Sequence, residues 1–372
     1  MSSRTFWSVL PALALLFATS AQAQIKIGVA GPFTGDDVAF GAQFKNGAAE
    51  AVEDINRMGG IQNQRLILEL GDDASDEKRG VEVAKRFAAA RVSFVVGHFN
   101  SGVTLPASKV YLEHNILEIT PAATNVEITE RGLWNMFRTC GRDDQQGAAA
   151  ASYLARFYKD KKIAIVHDNT PYGQGLAEET KKALIRRGIH EVLFDGVTKG
   201  QEDFSALIAK IRVARVDLLY WGGLHTESGR LAQQMHAAGL EVVMMGGDGL
   251  TTQEFANIGG PAVEGTLMTF SPDPRKRPEA KALVEKFRAK RFEPEAYTLY
   301  SYAAVQVIKQ AAEASKSIEP KTVAEQMLTG MRFRTVIGDL SFDKKGDITR
   351  FDWVMYIWKK QASGKITYQE IQ

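Results

Sequence analysis

The sequence predicts an α/β fold of two Rossmann-like lobes with parallel central sheets, and three observations support this. Short apolar runs bounded by turn residues alternate with longer amphipathic stretches, the pattern of parallel βαβ units. The alternation begins at residue 25 and starts afresh after Gly141. Polar, turn-rich segments near residues 142, 272 and 350 are suited to carry the chain between two lobes. A length of 372 residues accommodates two domains of ordinary size.

In chain order, Ile25–Gly31 (IKIGVAG) reads as a first strand that ends in the turn Pro32-Phe33-Thr34-Gly35. Phe40, Phe44, Ala48, Ala51, Ile55 and Met58 then recur three or four residues apart, one face of a helix that Gly59-Gly60 ends. Leu66–Leu70 is a strand, Ser75-Asp76-Glu77 opens a helix to about Ala90, and Ser93–Gly97 (SFVVG) and Ile116–Thr120 (ILEIT) are further strands. After the restart come a helix over 145–158, the strand Lys162–His167, the turn Pro171-Tyr172-Gly173 with a helix after it, and the strand Val192–Phe194. The helix Phe204–Val213, the strand Asp217–Gly222, the helix His225–Ala238 and the strand Val242–Gly246 complete this unit. Beyond Pro272 the chain turns basic and polar, then forms a long helix over Ala296–Ala314. Arg334–Asp347 reads as a hairpin and Phe351–Trp358 as a closing strand. The expected division is therefore 24–142 plus 272–350 for lobe 1, and 143–271 plus 351–372 for lobe 2.

Residues 1–23 read as a cleavable signal peptide. Arg4 supplies the positive end, Phe6–Ala18 a short apolar core, and Ala21-Gln22-Ala23 a small-x-small cleavage site. Gln24, not a cysteine, directly follows that site and no later run is apolar enough to cross a bilayer, so export without a membrane anchor is expected. Lys and Arg total 46 against 44 Asp and Glu, a balance that argues against nucleic acid or an anionic membrane as partner. Cys140 is the sole cysteine, which excludes an internal disulfide and reads as a buried small hydrophobe.

Motifs for chemistry are missing. No G-x-G-x-x-G follows the first strand, and there is no P-loop, no G-x-S-x-G elbow and no metal-ligand spacing among the six histidines. Asp72-Asp73 with Asp76-Glu77 reads as a strand end plus favourable charge at a helix N-terminus. His98 and His167 at strand ends read as satisfied polar residues near a cleft. These features point to a binder without metal or cofactor rather than an enzyme. The stretch Gly97–Thr124 holds two successive strand-to-helix turns, Asn100-Ser101-Gly102 and Pro121-Ala122-Ala123-Thr124. Their free N–H groups and hydroxyls suit either an anion site or a pair of ordinary N-caps.

The runs GVAGPFTG, AVEDINRMGGI, GHFNSGVTLPAS, ITPAATN, IAIVHDNTPYGQGLA, DGVTKGQEDFSALI, AAGLEVVMMGGDG and FRTVIGDLSFDKKGD span nearly the whole chain after the leader. In this order they resemble the periplasmic branched-chain amino-acid binding proteins, the type I solute receptors of ABC importers. The resemblance implies two lobes joined by three crossings, closing on a small, aliphatic amino acid that is passed to membrane permease subunits. It implies a monomer in the periplasm. It places the ligand carboxylate on Ser101, Ala122 and Thr124, and the ammonium on Asp248, where the family carries a longer Glu. Phe40, Phe99, Tyr172 and Tyr297 would line the side-chain pocket or its rim, with Phe99 and Tyr297 favouring smaller amino acids. Leu224 replaces a tyrosine that meets the ligand's polar end, and Ser75 and Asn100 replace the two cysteines of a lobe 1 disulfide. The departures leave open a receptor or sensor for a carboxylate or amide without an α-amino group. A hydrolase using His98 or His167 is the remaining alternative.

Overall fold

A computed structural model describes residues 24–371; the expected signal peptide lies outside the described residues. The first sheet is built from β1 (Ile25–Gly31), β2 (Leu66–Asp72), β3 (Phe94–Val96), β4 (Leu117–Thr120) and β5 (Met136–Arg138). Its order is β2-β1-β3-β4-β5, and every neighbouring pair is parallel. The intervening helices are α1 (Val38–Arg57), α2 (Glu77–Ala89), α3 (Ser101–Glu113) and the short α4 (Glu127–Glu130). The apolar face read from Phe40 to Ile55 is the buried face of α1. Strand β1 is buried along nearly its whole length and reads as a near-continuous apolar run, whereas β2, at the sheet edge, is only partly buried.

Helix α5 (Asp143–Phe157) leads into the second sheet. There β6 (Ile163–His167), α6 (Pro171–Ile185), β7 (Leu193–Gly196), α7 (Ser205–Ala214), β8 (Leu218–Gly222), α8 (His225–Ala237), β9 (Val243–Gly246), α9 (Gln253–Gly259) and β10 (Leu267–Phe270) alternate. The chain returns to the first sheet with α10 (Lys281–Ala289), α11 (Ala296–Ser315) and α12 (Pro320–Met327). Helix α11 packs on α1, and Lys286 of α10 and Lys290 just after it pair with Glu50 of α1. The small hairpin β11 (Phe333–Thr335) and β12 (Gly338–Leu340) follows. Finally β13 (Val354–Lys360) and β14 (Ile366–Ile371) rejoin the second sheet, whose order is β14-β13-β10-β9-β8-β6-β7. Its last two pairings, β10 with β13 and β13 with β14, are antiparallel, so the second sheet is only partly parallel.

Several boundaries differ from the sequence reading. The hairpin expected over 334–347 is tighter, turning at Val336-Ile337, with a separate bridge between Phe342 and Ile348. The closing strand starts at Val354 rather than Phe351, because Phe351 and Trp353 lie against Gly141, where a Cβ would meet the Phe351 ring at 2.5 Å. Strands β5, β10 and β14 went unread. Each is short or polar, and β5 carries a fully buried arginine, Arg138, whose charge is met by Asp347 at 2.6 Å.

Candidate ligand-binding site

The carboxyl ends of β3 and β4 face those of β6, β8 and β9 across a crevice, the edge at which open α/β sheets take ligands. A cavity of about 310 Å³ lies there, lined by Phe99, Ser101 and Ala122 from the first sheet's turns and by Tyr172, Leu224 and Asp248 from the second. Tyr297 of α11 completes the wall.

The turn after β3 exists because Gly97 takes φ +156°, with its Cα so close to β1 that a Cβ would lie 2.6 Å from the Ala30 carbonyl. Asn100 then adopts an extended cap conformation and its carbonyl accepts the N–H groups of Val103 and Thr104, at 3.1 and 2.9 Å. Among the described residues, the N–H groups of Ser101 and Gly102 find no acceptor, nor does the buried Asn100 Oδ1 a donor. The start of this 13-residue helix thus presents unspent donors to the cavity. Ser101 Oγ accepts the Asn125 N–H at 3.3 Å, and the Ala122 N–H lies 3.3 Å from Thr120 Oγ1.

Asp248 sits opposite, on the turn that follows β9. Only 3% of it is exposed, and each carboxylate oxygen accepts a tyrosine hydroxyl: Tyr172 at 2.8 Å and Tyr297 at 2.6 Å. Burial pushes this carboxyl above its ordinary range, while the tyrosine bonds pull it back. Tyr297, Tyr172 and Gln146 all bond this carboxylate, and its remaining lone-pair capacity can still meet a ligand cation. Gly249 permits this packing, since a Cβ there would stand 2.8 Å from the Gly223 carbonyl and 3.0 Å from the Tyr172 hydroxyl. The Gly249 N–H donates back to that hydroxyl at 3.0 Å. Because Tyr297 belongs with the first sheet and Asp248 with the second, their bond spans the crevice. Lys199 Nζ to the Ser75 carbonyl (3.1 Å) and Asn125 Nδ2 to the Pro171 carbonyl (2.7 Å) span it too, so the two halves are closed on each other.

Aromatic rings form the apolar end. Phe99 stacks on Phe40 with ring centroids 4.3 Å apart, and Tyr297 meets both edge-on at 6.0 and 5.8 Å. The structure therefore brings seven of the nine expected residues into one wall and sets two behind it. Phe40 is fully buried beneath Phe99, and Thr124 is fully buried beside Asp143, away from the cavity surface. Leu224 caps α8 and lends its side chain to the wall, its carbonyl accepting the Trp221 indole at 3.1 Å.

Sequence reasoning missed Lys199 and the orphan amide of Asn100. A lysine within Thr198-Lys199-Gly200-Gln201-Glu202-Asp203 carries every sign of an ordinary solvated loop, and only the approach of the other half makes it a cleft residue. Three of the four acidic residues have structural partners, while Asp76 and Glu77 also line the cavity. Asp72 accepts the N–H groups of Phe33, Thr34 and Ala74, Asp73 is paired with His98, and Asp76 caps α2. His167 is buried, accepts the Asn169 N–H at 3.2 Å, and is pushed by burial away from protonation. No group of three or more His, Cys, Asp or Glu residues suited to a metal occurs among the described residues. Nor is any described helix long and apolar enough to cross a membrane.

Two α/β halves shut on a cavity that carries a donor-rich turn, a facing carboxylate and an aromatic end define a two-lobed solute-binding protein. The chain belongs to the periplasmic binding protein family, whose profile matches residues 24–364. It is 54% identical over 99% of both chains to "Leu/Ile/Val-binding protein homolog 1" of Brucella melitensis. To an "Amino acid binding protein" of Pseudomonas aeruginosa it is 47% identical, covering 96% of this chain and 97% of that one. The solved structure of a leucine-binding protein from Thermotoga maritima superposes with a TM-score of 0.84 at 26% identity, covering 93% of this chain and 97% of the other.

Proposed function

We propose that this protein is the periplasmic solute-binding component of an ABC importer and that it takes a small aliphatic amino acid. The observation that carries this reading is the pairing, in one cavity, of a buried carboxylate at Asp248 with an unspent helix N-terminus at Ser101. An α-amino acid is complementary to both. Its carboxylate would meet Ser101, the neighbouring Gly102 N–H and Ala122, with Thr124 supporting that turn from behind. Its ammonium would meet Asp248, and its side chain would lie among Phe99, Tyr172, Leu224 and Tyr297. Relatives named for leucine, isoleucine and valine support the ligand class.

Lobe limits near 142, 272 and 350 fit the passage of the chain between sheets, and the leader at 1–23 accounts for export. Hinge closure follows from energetics. A ligand held by Ser101 on one lobe and Asp248 on the other has its full set of contacts only when the lobes meet, so it favours the closed state by that difference. The ligand is returned unchanged to membrane permease subunits, and a single chain suffices for binding.

The test is a thermal-shift and calorimetric series on the purified mature chain with alanine, valine, leucine, proline, their amides and aromatic carboxylates. A ligand that binds only the folded state raises the melting temperature by mass action. Shifts with amino acids and none with acids lacking an α-amino group are expected. The reverse pattern would favour a carboxylate receptor, although Asp248 would then face its ligand with like charge.

A further inference from the structure

His98 lies beneath the cavity, fully buried and outside its wall. Its ring is held at both nitrogens, with Nδ1 2.7 Å from Asp73 Oδ2 and Nε2 2.9 Å from the Tyr111 hydroxyl. The Tyr111 ring also lies nearly parallel to it, with centroids 5.9 Å apart. When Nδ1–H donates to Asp73, Nε2 is left to accept the Tyr111 O–H, so one neutral tautomer satisfies both contacts. Asp73, fully buried itself, follows β2, and its other oxygen takes the Ser75 N–H at 2.9 Å. The main chain of His98 is engaged as well, its carbonyl accepting the Thr120 hydroxyl at 2.7 Å. Thr120 Oγ1 in turn lies 3.0 Å from the Ala123 N–H and 3.3 Å from the Ala122 N–H. One residue thus ties together the ends of β2, β3 and β4, and the two turns it joins carry Ser101 and Ala122.

We propose that His98 is a positioning residue for the carboxylate end of the ligand. Clamped by Asp73 and Tyr111, it fixes the spacing between the α3 N-terminus and the Ala122 turn. This rests on the reading that the carboxylate lies between those turns. Donors on two separate turns serve one carboxylate only if both stand within about 3.2 Å of it. A slip of about 0.5–1 Å between the turns therefore sacrifices most of one bond. The clamp is suited to prevent that slip, because its three partners stand on different elements and the imidazole between them is rigid. Glu118, fully buried on β4 near Tyr111, is pushed by burial well above the ordinary carboxylate range.

The experiment is calorimetric titration of the full mature chain and its Tyr111→Phe, Asp73→Asn and His98→Gln variants with L-valine and L-valinamide. The amide keeps the ammonium and lacks the carboxylate. Tyr111→Phe deletes one clamp bond without opening a void and should weaken valine by about 3–10-fold, and His98→Gln by about tenfold or more. Valinamide should change by less than about twofold in both, so the preference for valine shrinks. Equal losses for the two probes, tracking a lower melting temperature, would reduce the clamp to general stability and overturn the proposal. So would valine affinity unchanged in every variant. Should His98→Gln fail to fold, the Tyr111 and Asp73 variants give the same comparison. A wild-type protein that takes both probes equally, or neither, would instead remove the underlying reading of the carboxylate site.

Discussion

Replacing Asp248 with asparagine isolates the charge at the second lobe's end of the cavity while keeping the shape of the side chain. Asp248 is almost wholly buried, and its two oxygens each hold a tyrosine hydroxyl, at 2.8 and 2.6 Å. In the variant the amide oxygen still accepts one hydroxyl and the other tyrosine can turn its oxygen to the new NH₂ group, so the wall survives. What is lost is the ionic partner of a desolvated ammonium. Truncating one partner of a buried, hydrogen-bonded charge pair costs about 2–5 kcal/mol, which at a factor of ten per 1.4 kcal/mol means roughly 30- to 4,000-fold in affinity. Asparagine should fall at the low end because an acceptor remains, and Asp248→Ala higher. Calorimetry with valine, beside melting curves of the free protein, measures this. Affinity within about threefold of wild type, with unchanged melting, would refute the assignment of the ammonium to Asp248. The pH dependence carries a sign. Burial raises the Asp248 pKa in the free protein against the pull of the tyrosines, and a bound ammonium favours the ionised form. Affinity should be flat above the free protein's raised pKa and fall as pH drops through it. The asparagine variant should lack that fall.

Phe99→Ala removes a ring stacked on Phe40 and should cost about 3–5 kcal/mol of stability while widening the aromatic end of the cavity. In competition titrations the leucine-to-alanine affinity ratio should rise about tenfold, as expected when a pocket gains room for methylenes; an unchanged ratio would mean Phe99 does not limit ligand size. Glu319 caps α12, accepting from the Thr322 N–H at 2.6 Å and from Asn115 at 2.7 Å. Partial burial would raise its carboxyl, but these bonds outweigh that and hold it down to about 2. A depressed carboxyl stabilises fully above its unfolded pKa and loses that contribution as pH falls through the folded value. Glu319→Ala should therefore cost about 0.5–1 kcal/mol near neutrality, the low end for an exposed cap, with the difference from wild type vanishing between about pH 4.5 and 2 in denaturant melts.

The alternation of strand and helix was legible in strands such as β1, β6 and β8, because burial on two sides forces a near-continuous apolar run. In short or exposed strands the signal can fail, as it does for β10, four residues long though fully buried. β14 is an edge strand whose residues are half-buried or exposed, and β5 is three residues long with a buried arginine that answers to Asp347, far away in sequence. The donor turn was suggested locally, since a strand-to-helix turn declares its free donors through Ser101 and Gly102. An aspartate among glycines declares only a turn, and Asp248 was set opposite by the family resemblance. The placement of Phe40 and Thr124 behind the wall had no local signature, since an apolar helix face looks the same whether its outermost ring meets a ligand or another ring.

The sequence by itself determined the α/β alternation, its restart after Gly141, and the two turns around Ser101 and Ala122, since these follow from local hydrophobic period and backbone chemistry. Only the tertiary structure decided which groups share a cavity. Asp248 is joined to Tyr297 across 49 positions and Lys199 to Ser75 across 124, and nothing near any of them in the chain specifies its partner. The strand ends of two separate sheets must first be brought face to face. After that, burial selects which charges are held by hydrogen bonds, because an unpaired charge in that crevice is too costly to keep.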